Sequence, residues 1–417
     1  MKVVQAPCEN GDSVQSSHSK DGVTRFPAQR DLRVNLRLAD VPPSYSENIE
    51  FWRGDRESGS HSLHHAIHYP VSYRPEIASH CLDRFSKKGD VVFDPFCGSG
   101  TTGLEAAIRG RLSIQSDRNP VAVEISSSKL APADLAEVTL ALQSFLIKRP
   151  VEMGPYSDLF SQFYHVDTFR EIVNLRSILA ERNDRVSRFV RLVALALLHG
   201  HSSGYFSAFS SPSESVTPEE QARLNLKRGQ KPEYRPVLPR ILRKAAALLR
   251  EGIPSFVLGT QDKHVCRVSD ARSLEWMSPS SVDLVLTEPP CPGMPQCVRE
   301  QWLRFWFLGL PANDLHRELW SGIELSDWLG FMNEVSLELA RVVKGGGRAI
   351  FLLPNSPELG DLGSISRPLI KMIEQSLGRF WYPECILTHS GQRNVISRGR
   401  IGSNEKNGAQ ALVIRRR

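Results

Sequence analysis

The sequence predicts an α/β protein: a mostly parallel sheet with helices on both faces, interrupted by a large helical insertion. Three observations predict it. The apolar run Val91-Val92-Phe93 ends on Asp94 and leads at once into a glycine-rich turn and a helix. A second strand, from Val282 to Leu286, is followed later by helix, Gly-Gly turn and strand, ending at Leu353. Between these two regions the apolar residues recur at three- and four-residue spacing, the helical period.

Taken in order, residues 1–45 read as a loose, polar, Ser-rich leader that ends at Val41-Pro42-Pro43. Residues 46–130 hold the start of the sheet. An amphipathic helix runs through Phe85, Lys88-Gly89-Asp90 turns into the strand, and Thr101 and Thr102 open a helix that continues from Gly103 to Arg109. Leu112 to Asp117 is the second strand. Residues 131–263 are the insertion, with helices over 134–147, 168–180, 186–198 and 239–250. A further helix starts at Thr217-Pro218-Glu219-Glu220, where Thr caps and Pro occupies the first turn. Residues 264–417 resume the sheet. They hold a helix over 327–339, a turn over 342–347, a strand over 349–353, a helix over 369–377, and a final strand pair over 385–389 and 411–415.

The chemistry gathers at strand ends. Gly98 and Gly100 lack a Cβ, so the backbone can turn tightly and approach a ligand. The helix that follows points free N–H groups over that turn. Asp117 lies about 20 residues past the turn, where an acid can reach ribose hydroxyls. The whole string Asp94-Pro95-Phe96-Cys97-Gly98-Ser99-Gly100-Thr101-Thr102 resembles the S-adenosyl-L-methionine motif of the DNA amino-methyltransferases, which methylate N4 of cytosine or N6 of adenine. His68 to Ile77, with Tyr73, resembles that family's motif beside the methionine end of the cofactor. Asp117-Arg118-Asn119 and Asp270 resemble its ribose and adenine positions. Glu288-Pro289-Pro290-Cys291 falls where the family carries Asp, Asn or Ser, then Pro-Pro, then Tyr or Phe.

The resemblance implies a Rossmann-like methyltransferase fold and S-adenosyl-L-methionine as cofactor. It implies a duplex DNA substrate whose target base is flipped out of the stack. Tyr73, Asp94, Phe96, Gly98, Gly100, Thr101, Thr102, Asp117, Asn119 and Asp270 would face the cofactor. Glu288 and the Pro289 carbonyl would take the amine hydrogens, with Pro290 and Cys291 completing the motif. The chain departs from the pattern twice. Glu288 is one methylene longer than Asp, and Cys291 cannot stack on a base as a ring does. Trp302, Phe305, Trp306 and Phe307 follow closely and read either as core or as substitute stacking surface. Pro290-Cys291 also matches the nucleophile dipeptide of cytosine-C5 methyltransferases, whose other elements are missing here. An RNA methyltransferase, and a member that binds nucleic acid without catalysis, remain as alternative readings.

Composition bounds the rest. The net charge is +6, and nine Lys or Arg residues against one acid fall between Arg223 and Arg250. Arg223, Lys227, Arg228 and Lys231 are the candidate phosphate contacts; a solvated surface helix is the alternative. A second basic cluster comprises Arg393, Arg398, Arg400, Lys406 and Arg415 to Arg417. No apolar run reaches membrane-spanning length, and Met1 to Ser19 has no apolar signal core. Seven scattered cysteines without metal spacing point to a reducing cytoplasm and no metal site.

Overall fold

A computed structural model describes residues 46–49, 60–69, 72–211, 214–292, 299–311, 324–353, 365–389 and 410–417. The leader and the basic residues Arg393, Arg398, Arg400 and Lys406 lie outside the described residues. The sheet has eight strands: β1 (Ser46–Ile49), β2 (Val91–Asp94), β3 (Leu112–Asp117), β4 (Val265–Val268), β5 (Val282–Thr287), β6 (Val343–Leu353), β7 (Trp381–His389) and β8 (Gln410–Arg416). Their spatial order is β1-β7-β8-β6-β5-β2-β3-β4. All pairs are parallel except those of β8, which runs antiparallel between β6 and β7. The mostly parallel, helix-covered sheet expected from the sequence is present.

The strands are short apolar runs because both sheet faces are covered. Helix α1 (Pro75–Phe85) starts with Pro at its first position and buries Ile77, Ala78, Cys81 and Leu82. Helix α2 (Thr101–Ile108) is buried along nearly its whole length. Gly103 lets it close on β3: a Cβ there would stand 1.4 Å from Gln115 Nε2. Helix α3 (Pro120–Leu130) starts on the Asn119 side chain, which accepts the Val121 N–H at 3.0 Å.

The insertion is helical as expected: α4 (Leu135–Ser144), α5 (Val166–Ala180), α6 (Arg185–Leu197), α7 (Pro218–Arg228), α8 (Val237–Leu248) and the short α9 (Ser255–Thr260). Both α4 and α7 carry a full capping box, Asp134 with Glu137 and Thr217 with Glu220. The helices do not form a separate body. Their core includes Phe160, Phe169, Ile172, Phe189, Leu192 and Ile241, and it is continuous with Leu104, Val121 and Ile125 under the sheet. It also takes in Leu303, Phe305 and Phe307 of α10 (Trp302–Leu308), which follows Glu288-Pro289-Pro290-Cys291 in sequence. The 263/264 boundary is thus crossed by packing.

The second half of the sheet is covered by α11 (Leu325–Val342) and α12 (Ser366–Leu377), which enclose Trp328, Met332, Val335, Leu369, Ile373 and Trp381. One expectation is corrected. The turn at residues 342–347 is part of β6, because Val282 pairs with Val343 and Leu284 already pairs with Arg348. The extra residues form a bulge. Gly346, at φ 79, supplies a left-handed position that other residues resist.

Candidate active site

Sheet order brings four acids to one edge. Glu288, Asp94, Asp117 and Asp270 stand at or just beyond the C-terminal ends of β5, β2, β3 and β4, which are neighbours in that order. Ligands of open α/β sheets bind at this edge.

The glycine turn is held by its own hydrogen bonds. Gly100 N–H closes on the Cys97 carbonyl at 2.7 Å, and Cys97 N–H reaches Ser116 O at 3.0 Å. The Asp117 carboxylate accepts from Gly98 N–H at 3.0 Å and from Asn119 N–H at 2.8 Å. Burial still pushes its pKa up to about 6. The two glycines serve different ends. Gly98, at φ 47, faces the Tyr69 ring, 3.5 Å from where a Cβ would sit. Gly100, at φ 79, lies so close to α3 that a Cβ would stand 2.8 Å from Ser126 Cβ. A side chain at Gly100 therefore collides with the protein itself, so this glycine serves the tight turn against α3. Gly100 also caps α2 without a side-chain hydrogen bond to its N-terminal N–H groups.

The other cofactor candidates are placed as follows. Asn119 caps α3 and donates to Tyr69 Oη at 3.2 Å. Phe96 is half-buried, its ring 5.9 Å from that of Phe331. The side chains of Thr101, Thr102 and Tyr73 turn inward. Thr102 donates to Leu286 O at 3.0 Å and meets the Tyr73 hydroxyl, while Thr101 joins the Ser99 and Ser72 hydroxyls. These three fasten the turn to α1 and β5, leaving their backbone to line the edge. Asp270 sits in its own turn, with the Arg272 guanidinium at 2.8 Å and Arg118 at 3.6 Å. Those cations hold its carboxyl below the usual range against the opposing effect of burial.

The tetrapeptide differs. Thr287 donates to Asp94 Oδ1 at 2.6 Å and so ties β5 to the glycine turn. Asp94, 1 % exposed, is raised to about 6 by burial. Glu288 follows, buried, and Oε1 has no hydrogen-bond partner among the described residues. Burial first, and the Asp94 charge second, push it up to about 8. Pro290 O accepts from Trp328 Nε1 at 2.6 Å, and Pro289 O from the Cys291 thiol at 3.3 Å. Cys291 packs in the core beside Phe93 and Trp328, and burial drives its pKa well above 9. A thiol so placed is not a nucleophilic thiolate.

The nearby aromatics are core. Trp302 donates to Val216 O at 3.0 Å and packs on Phe160, and Trp306 lies 4.5 Å from Phe160. These rings pack in the insertion core, whereas Cys291 belongs to the core under β2 and β5. The sequence reading also missed Trp328 and Lys129. Lys129, 1 % exposed, donates from beneath the turn to Ser99 O at 2.7 Å, and burial lowers it to about 7. A lysine inside an apolar helix was its only signal. Among the described residues no group of His, Cys, Asp or Glu could hold a metal, and no helix is long and apolar enough to cross a membrane.

On α7, Gln221 and Asn225 anchor the helix to Phe209 O and Gln162 O. Arg223, Lys227, Arg228 and Lys231 are all exposed around it, as is Leu226 at 86 %.

This sheet edge, with a glycine turn beside a Pro-Pro tetrapeptide, is the candidate ligand site of an open α/β sheet. Residues 27–128 match the sequence pattern of the DNA methylase family, N6_N4_Mtase. The resemblance to the DNA amino-methyltransferases is borne out over that segment. The type II methyltransferase M.MjaII of Methanocaldococcus jannaschii is 34 % identical over 85 residues, 20 % of this chain and 16 % of that protein. The orphan methyltransferase M.BamHII of Bacillus amyloliquefaciens is 34 % identical over 101 residues, 24 % and 37 %. M.BsoBI of Geobacillus stearothermophilus, also type II, is 28 % identical over 87 residues, 21 % and 16 %. The matched segment thus spans well under half of each relative. Among solved structures, TrmN of Thermus thermophilus overlaps at a TM-score of 0.31 and 11 % identity, over 82 % of this chain and 48 % of that one. The rRNA methyltransferase aviRa of Streptomyces viridochromogenes does so at 0.29 and 14 %, over 82 % and 85 %. Overlaps this loose say nothing of the substrate.

Proposed function

We propose that the protein is an S-adenosyl-L-methionine-dependent DNA methyltransferase acting on an exocyclic amine, N4 of cytosine or N6 of adenine. The observation that carries this reading is the Asp94–Thr287 hydrogen bond, which joins the glycine turn to Glu288-Pro289-Pro290-Cys291 at 2.6 Å. One edge would thereby hold a methyl donor and an amine acceptor side by side.

The residues fit such a cofactor. Asp117 is fixed by two backbone N–H groups with lone pairs to spare for ribose hydroxyls. No side chain caps the first N–H groups of α2. The buried, unsatisfied Glu288 oxygen calls for a hydrogen-bond donor or a positive charge. The bound cofactor supplies an electrophilic methyl group on a sulfonium. The protein's part is positioning. Glu288, when ionised, accepts a hydrogen from the amine and leaves the nitrogen lone pair free to attack. The Pro289 carbonyl accepts the second hydrogen in place of the weak thiol contact. Trp328 holds the Pro290 carbonyl and so fixes the loop.

Arg223, Lys227, Arg228 and Lys231 would contact DNA phosphates, and the match of residues 27–128 to a family described as DNA methylase supports DNA over RNA. The base would be flipped to reach Glu288. A cytoplasmic location fits this role. Transfer of labelled methyl from S-adenosyl-L-methionine to duplex DNA tests the reading. Transfer to RNA alone would replace the substrate, and cofactor binding with no transfer to any nucleic acid would favour the non-catalytic reading.

A further inference from the structure

Three carboxylates, Asp94 and Glu288 buried and Asp117 partly so, stand about the glycine turn, and among the described residues no cation pairs with them. Asp94 and Asp117 are satisfied by hydroxyl and backbone donors; Glu288 is not. The titratable groups that act on Glu288 among the described residues are Asp94 from the end of β2, Tyr73 from the segment ahead of α1, and Cys291 beyond β5. From α11 comes the Trp328 indole, which is turned to Pro290. Lys129 lies beneath the turn and is committed to the Ser99 carbonyl, while Arg118 and Arg272 are committed to Asp270.

We propose that Glu288 is a neutral acid in the free protein and releases its proton when the sulfonium-bearing cofactor is loaded, so that this side chain separates methyl donor from spent thioether by charge. The inference rests on the cofactor reading above. Burial without a partner disfavours the carboxylate, and the neighbouring Asp94 disfavours it further. An opposite charge within about 4–6 Å holds a carboxyl ionised one to three pH units lower. S-adenosylmethionine brings such a charge and S-adenosylhomocysteine does not; apart from the methyl group they are otherwise alike. The cycle balances. On loading, the Glu288 proton goes to solvent. In transfer, the sulfur–carbon bond breaks, the nitrogen–carbon bond forms, and the amine proton goes to the Glu288 carboxylate. The product complex then holds a neutral acid beside a neutral thioether, the state in which the carboxyl is most at home.

Calorimetric titration at pH 7 in two buffers of different ionisation enthalpy counts the protons. With Glu288 at about 8 in the free protein and lowered one to three pH units by the sulfonium, S-adenosylmethionine should release about 0.4 to 0.9 proton per site at pH 7 and S-adenosylhomocysteine close to none. Affinity for the methyl donor relative to the thioether should rise about 2.5- to 8-fold from pH 6.5 to pH 7.5. Glu288→Gln, isosteric with the neutral acid, should erase both differences while melting no lower than wild type at pH 6. Equal proton release with the two ligands, or an undiminished difference in Glu288→Gln, overturns the proposal and leaves the cofactor reading standing. Binding of neither ligand sinks both.

Discussion

The glycine turn and the tetrapeptide sit on adjacent strands, and they are built in opposite ways. Around the turn, Asp117 is satisfied by backbone donors, Thr101 and Thr102 by neighbouring hydroxyls and carbonyls, and Ser99 O by a buried lysine. At the tetrapeptide, Glu288 is buried with an oxygen unanswered, and Pro289 O has only a thiol. In the first region the Asp117 carboxylate is already bonded, although Gln115 Oε1 and Ser116 Oγ are unpartnered among the described residues; in the second the unpartnered atom belongs to the carboxylate itself. A buried carboxylate oxygen left unpartnered calls for an explanation, and a ligand donor is one.

The hardest test of that contrast removes the unanswered group. Glu288→Ala should lower methyl-transfer turnover by about three orders of magnitude, while the cofactor dissociation constant moves less than fivefold, because the contact strengthens in the transition state. Parallel losses in both would place Glu288 with the acids already bonded at the turn. Next comes the turn itself. Gly100→Val forces a Cβ to within 2.8 Å of Ser126 at a left-handed φ, and should cost about 3 kcal/mol or more in chemical denaturation. Gly98→Ala meets only the Tyr69 ring at 3.5 Å, so it should cost about 1 kcal/mol in stability and about tenfold in cofactor affinity.

A third test uses pH. Glu288 has a raised pKa in the fold, so its unfolded form ionises first, near 4.5, and its folded form near 8. Wild-type stability should therefore decline from about pH 4.5 to pH 8 relative to Glu288→Gln. Thermal melts across that range check the sign; a gap that widens toward acid would show that the carboxylate is stabilised by a partner.

Charge reversal at Arg223, Lys227 and Arg228 should leave both sheet-edge regions intact. It should reduce the slope of log DNA affinity against log salt by about 2.7 if each meets one phosphate. The smallest effect belongs to Trp328→Phe. It removes one hydrogen bond to Pro290 O, at about 1 kcal/mol, and should lower turnover severalfold without changing cofactor affinity.

The glycine turn was the more legible in the sequence, and for a local reason. The β2 strand, the turn and α2 are contiguous, so Asp94 to Thr102 announces itself within nine residues. Helix α7 was readable from Thr217 and Glu220 in the same way. The tetrapeptide was only half legible. Glu288 to Cys291 could be recognised, but the partner of Pro290 O stands on α11, and Cys291 belongs to a core assembled from β2, β5 and α11. The fate of Trp302 and Trp306 depended on Phe160 and Phe169, more than 130 residues earlier. The β6 bulge was read as a turn because Gly345 to Gly347 looks the same in either setting until its partner strand is known.

The strand β8 bears on how the molecule is made. It lies between β6 and β7, yet it follows both in the chain, so the pairing of Phe351 and of Ile386 with Leu412 must wait for it. During synthesis, β6 and β7 emerge as two open edges with no partner between them. Contacts of such long sequence separation close slowly, and the nascent chain must hold those edges apart from other strands until Gln410 to Arg416 has left the ribosome.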